Sequence, residues 1–157
     1  MITVNNLRHL HRVLLLLFIV LIGCEYERIE PMDDDQETVT FAKANGADPN
    51  LEQNQDRITD NVWLTRGNSG GQIYNARVNS ASNKQLSPVD TEWALGTVEE
   101  LESLTFDTFR GTIQPKDVVG KDLVLHLITD DVYLNIRFTA WSSGREGGFA
   151  YIRDSLR

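Results

Sequence analysis

Four groups of residues in this sequence have types and spacings that suit chemistry. The first is rich in oxygen donors. Residues 45–60 place Asn45, Asp48, Asn50, Glu52, Asn54, Asp56 and Asp60 in one loop region. Such donors suit Ca2+, a hard cation that binds weakly outside cells when ligands come from flexible loops. Asp48, Asn50, Asp56 and Asp60 are the expected ligands. The spacing is not that of an EF-hand, because the invariant glycine and the closing bidentate Glu are absent. A polar loop built from Asx turns uses the same residues. The second group is aromatic and cationic: Trp63 with Arg66, Trp141 with Arg145, and Tyr151. Aromatic faces stack on sugar rings, and neighbouring polar groups fix the sugar's orientation. Each Trp lies beside a glycine-rich segment, where a rigid scaffold presents its binding loops. Packing at the rim of a core is the competing use of the same rings. The third is a carboxylate pair, Asp130-Asp131, of the kind that hydrolyses glycosides by general acid–base chemistry. Sixteen acids follow residue 37, so a pair arises cheaply, and a solvated turn explains this one equally. The fourth is His126, which sits within an apolar run. A nucleophile needs a base within hydrogen-bond reach, and a histidine in a strand is more simply part of the packing. No Gly-x-Ser-x-Gly occurs, and Asn68-Ser69-Gly70-Gly71 reads as a hairpin loop. Phosphate-loop and dinucleotide fingerprints are also missing.

The chain that must position these residues has 157 residues, enough for one domain and a tail. Lysine and arginine total 15 against 23 acids, a net charge of −8. That argues against nucleic acid as a partner, since such affinity comes from cations displacing counterions. One cysteine, Cys24, excludes an internal disulfide framework and a multi-cysteine metal site.

The N-terminus reads as an address. Arg8 and Arg12 precede ten apolar residues, Val13 to Ile22, and then Gly23-Cys24. A positive region, a short apolar region and a small residue before the cut make a secretory signal peptide over 1–23. A ten-residue helix spans about 15 Å, half of a hydrocarbon core of about 30 Å, so it is too short to be an anchor. Leu21-Ile22-Gly23-Cys24 resembles the lipobox of bacterial lipoproteins. The resemblance implies lipid transfer to the Cys24 thiol, cleavage after Gly23 and acylation, palmitate included, of the new N-terminus. Several acyl chains make a durable anchor where one does not. The expected partner is therefore a membrane, and the expected location is the cell envelope, at the outer membrane, on its surface or periplasmic face.

Residues 25–37 hold seven acids and a single Arg. Such a block cannot bury enough apolar area to fold, and 24–37 is expected to be a disordered acidic tether. An acidic stretch behind a lipidated cysteine also resembles, loosely, the surface-export signals of Bacteroidetes lipoproteins. A plain spacer has the same composition.

Residues 38–157 show mostly a period of two. Val132 to Trp141 alternates, with Val132, Leu134, Ile136 and Phe138 expected inward. Leu123 to Ile128 is nearly continuous apolar, as in a strand covered on both faces. Thr129-Asp130-Asp131 supplies the turn between them. Further strands are expected at Thr38–Lys43, Asn61–Arg66, Gln72–Val78, Glu92–Gly96 and Phe149–Ile152, and one short helix at Val98–Leu104. The expected class is all-β, a β-sandwich or jelly roll. A faint echo links Trp63, Gly70-Gly71 and Tyr74 to Trp141, Gly147-Gly148 and Tyr151. Shared hairpin grammar accounts for it as well as duplication does.

The segments Asp56–Arg66, Ile73–Ala76, Thr91–Ala94, His126–Leu134 and Gly147–Tyr151 are similar to an uncharacterised β-rich domain of secreted, surface-attached bacterial proteins, especially in Bacteroidetes. The resemblance spans roughly residues 40–154. It implies an extracellular β module and no established activity. The expected function is a lipid-anchored, non-enzymatic module that binds a glycan or an envelope protein, with Ca2+ the one cofactor the loops suggest. A small polysaccharide-active enzyme working through carboxylates is the alternative, and a purely structural envelope partner is a third.

Overall fold

The structure, a computed structural model, describes residues 37–156. The expected leader, Cys24 and nearly all of the acidic tether lie outside the described residues.

Eight strands form two antiparallel sheets. They are β1 (Thr38–Lys43), β2 (Asp56–Arg57), β3 (Trp63–Arg66), β4 (Ile73–Asn75), β5 (Thr91–Leu95), β6 (Asp122–Leu127), β7 (Val132–Trp141) and β8 (Phe149–Asp154). The larger sheet runs β1-β8-β7-β6-β5 and the smaller β2-β3-β4. Their inner faces share one core. Leu64 and Ile73 come from the small sheet; Trp93, Leu123, Leu125, Leu127, Leu134, Ile136, Phe138, Phe149 and Tyr151 come from the large one. This is the expected all-β sandwich.

The patterns that specify it are legible strand by strand. In β7, Leu134, Ile136 and Phe138 are buried, while Arg137 and Thr139 are exposed. In β6, Leu123, Leu125 and Leu127 enter the core. Val124 and His126 point the other way and are also buried, as a continuous apolar run predicts. Tyr133 and Phe106 close over His126 on that outer face, with ring centroids 4.0 and 6.0 Å away.

Two elements depart from expectation. Val98–Ser103 is a 3-10 helix, not an α-helix. Thr97 and Glu100 form a capping box at its start, which satisfies the first free amides. Six residues are too few for α-helix cooperativity to take over. The one α-helix, α1, is a single turn at Phe109–Thr112. Thr108 caps it by accepting the Gly111 N–H at 3.1 Å, and Phe109 is driven into the core. Among the described residues, no helix is long and apolar enough to cross a membrane.

Candidate functional site

The two sequence units that echo each other are both hairpins, β3–β4 and β7–β8, one from each sheet. Their glycine loops meet at the same end of the sandwich. Gly147 has φ +70°, and any Cβ there would strike the Asn68 side chain and sit 2.7 Å from the Gly67 carbonyl. The two loops touch so closely that glycine is required.

Two buried cations clasp this junction. Arg66 ends β3 and is 3% exposed. Its Nε donates to the Gly71 carbonyl at 3.1 Å. Its Nη1 donates to the carbonyls of Ser142 and Gly148 at 2.9 and 3.0 Å, across the gap between the sheets. Its guanidinium lies 4.0 Å from the centroid of the Trp141 ring. Arg66 thus partners Trp141, not the Trp63 that lies near it in sequence. Lys43 ends β1, is equally buried, and donates to Asn68 Oδ1 at 2.9 Å and to the Gly147 carbonyl at 3.2 Å. None of these acceptors is a carboxylate. Burial lowers the pKa of Arg66. Burial first, and then the Arg66 charge, lowers that of Lys43, with Asp48 pulling the other way. The second terminal nitrogen of Arg66 makes no hydrogen bond among the described residues.

Over this clasp the loops leave two adjoining hollows of about 770 and 480 Å³, which share Gly71, Lys84 and Gly144. The first is walled by the 67–71 loop, Tyr74, Ser80, Ser82 and Arg145. The second is walled by Arg66, Trp141, Arg110, Gln114 and Lys116. Neither wall contains an Asp or a Glu, although sixteen acids follow residue 37. Of three acids adjoining the lining residues in sequence, two have other partners and the third pairs with a cleft cation. Glu146 accepts from Asn45 at 2.8 Å, and Asp48 accepts from the backbone and side chain of Asn50. Asp117 stands 3.9 Å from Lys116.

The other expected site residues are placed apart from this cleft. Trp63 lies on the small sheet, with the guanidinium of Arg57 4.2 Å and that of Arg77 5.6 Å from its ring; its indole N–H donates to the Thr59 carbonyl. Tyr151 is fully buried and donates to Asp56 Oδ2 at 2.7 Å, so it belongs to the core. Asp56 also accepts two hydrogen bonds from Arg153, at 2.7 and 2.9 Å. Both its oxygens are therefore committed inside the protein. Burial opposes the Arg153 charge, but the paired Asp56 carboxylate outweighs it and raises the pKa. Asp48 and Asn50 form an Asx turn, and Asp60 is exposed. Asp48, Asn50, Asp56 and Asp60 do not converge as a calcium shell. Among the described residues, no three His, Cys, Asp or Glu side chains are arranged to hold a metal.

The carboxylate pair also separates. Asp130 accepts from Thr59 Oγ1 at 2.6 Å and Asn61 Nδ2 at 2.8 Å, tying the hairpin turn to the loop before β3. Asp131 sits 3.3 Å from His126 Nε2, and Glu92 2.8 Å from Nδ1. His126 therefore faces acids on both nitrogens, not a hydroxyl, and is a packed strand residue at 8% exposure. Lys84, Arg110 and Lys116 are the cleft residues that sequence reading missed. Lys84 and the 110–116 stretch lie apart in the chain, in segments without periodicity, and only the fold brings them to the glycine loops. Comparison with known proteins finds no matching family model, no matching curated protein and no matching solved structure.

Proposed function

We propose that this protein is a lipid-anchored module of the bacterial envelope that binds a glycan in the cleft between its two glycine hairpins. One observation carries the reading. The loop end combines an aromatic wall, Trp141, with hydroxyl, amide and guanidinium groups around two connected hollows. Glycan sites use that mixture, because a sugar offers apolar ring faces and many hydroxyls at once. The anchor reading rests on the lipobox-like Leu21-Ile22-Gly23-Cys24. Within the folded domain, Thr38 pairs with Asp154 at one end of β1, and the cleft lies beyond Lys43, which pairs with Phe149 at the other.

A glycan array probed with the full chain tests this reading. Trp141→Ala should weaken any hit by about tenfold or more, the cost of one good aromatic contact with its buried area. Trp63→Ala should leave the same hit unchanged. Equal loss in both variants, or no hit, contradicts the assignment. Metabolic labelling with palmitate tests the anchor, and Cys24→Ser should abolish the label.

A further inference from the structure

We propose that the glycan bound in this cleft is anionic, with carboxylate or sulfate groups on its sugars. The proposal rests on the glycan reading above and narrows it to a chemical class.

Charge decides the class. Four exposed or half-exposed cations, Lys84, Arg110, Lys116 and Arg145, line the two hollows. Beneath them lie Arg66 and Lys43, buried and held only by carbonyl and amide oxygens. Burying a cation without a carboxylate is costly, and natural proteins ordinarily pair such charges. Here no carboxylate pairs with either cation, and Arg66 lines the second hollow with one terminal nitrogen that makes no hydrogen bond among the described residues. Arg110 spends one nitrogen on Gln114 Oε1, at a long 3.3 Å. Lys116 has one exposed acid, Asp117, at 3.9 Å, whereas Lys84 and Arg145 make no ion pair among the described residues. A neutral glycan would leave this field uncompensated, whereas a carboxylate or sulfate accepts from Arg in two-point geometry. In an acidic protein, a cluster of cations at one tip attracts polyanions locally and orients their approach. Ser69, Ser80, Ser82 and Ser143 also line the two hollows and offer hydroxyls to a sugar, and an acidic peptide is the competing occupant that the test separates.

The test uses the full chain in uncharged detergent and matched polymers: dextran, dextran sulfate, polygalacturonate and polyglutamate. Calorimetry should show binding to polygalacturonate or dextran sulfate and at least tenfold weaker binding to dextran. The affinity should fall steeply between low and high salt, as exposed charges are screened. The double variant Lys84→Gln/Arg145→Gln should lose at least tenfold while its circular dichroism and melting temperature stay unchanged. Lys121→Gln, a neutralised cation outside the cleft, should bind like wild type. Dextran bound as tightly as its sulfate, with no salt effect, would overturn the anionic class and leave the glycan reading standing. Polyglutamate bound as tightly as polygalacturonate would overturn both, as would no binding to any polymer. Equal losses for Lys121→Gln and the double variant would overturn the cleft as the seat of recognition.

Discussion

At the level of single residues, the sandwich is held by a polar triad that the sequence did not advertise. Asp56, on a two-residue strand, spends its oxygens on Arg153 and Tyr151 of the opposite sheet. Asp56→Ala should cost about 3–5 kcal/mol in urea unfolding, because it leaves a buried guanidinium unpaired. Replacing all three partners, Asp56→Leu with Arg153→Met and Tyr151→Phe, should cost far less, because no buried polar group of the triad is then left unpaired. Tyr151 adds a pH dependence. Burial, and then the Asp56 charge, raise its pKa well above the ordinary 10.0. Above pH 10 the unfolded chain loses this proton while the folded chain keeps it. Stability therefore falls as pH rises through that window, by about 1.4 kcal/mol per unit for one proton. Lys43 has the opposite sign: its lowered pKa lets the unfolded chain hold the extra proton, so its share of stability improves as pH rises towards 10.5. Tyr151→Phe should flatten the alkaline decline, and parallel urea midpoints for both proteins from pH 8 to 11 would contradict this account. The residue types were readable in advance, but their pairing was not. Arg66 and Trp141 are distant in sequence, and only the meeting of two sheets brings them together.

At the level of elements, period-two alternation made β7 and β6 legible, because each strand has one face whose burial depends on that pattern. Short pieces were not. The strand β2 has two residues and α1 four, lengths at which tertiary contacts outweigh local propensity. The glycine hairpins were visible as turns, yet nothing local said that they abut. Their junction yields a prediction. Gly147→Ala should destabilise the fold by about 1–3 kcal/mol, from left-handed backbone strain and from collision with the Gly67 carbonyl. Gly144→Ala, with φ +64° but no atom within 4 Å of its Cβ, should suffer the backbone cost alone. Thermal melts of the two variants check the order, and an equal loss in both would mean that the loops do not press on each other.

At the level of the whole molecule, composition predicted an acidic protein and argued against nucleic acid as a partner. The fold adds a local feature that composition does not show, by collecting cations from four separate segments at one tip whose lining holds no Asp or Glu. Net charge describes the average field, whereas recognition depends on where the charges are placed. The fold class could be read from alternation and turn spacing. The cleft could not, because its walls are loops whose arrangement is set by the sheets they connect. The most direct measurement is a backbone-amide NMR titration of the full chain with oligogalacturonate. Shifts confined to residues 66–71, 80–86, 110–116 and 141–148 are the predicted result. Shifts centred on the 127–133 hairpin or around Trp63, or none at saturating ligand, would contradict the central claim.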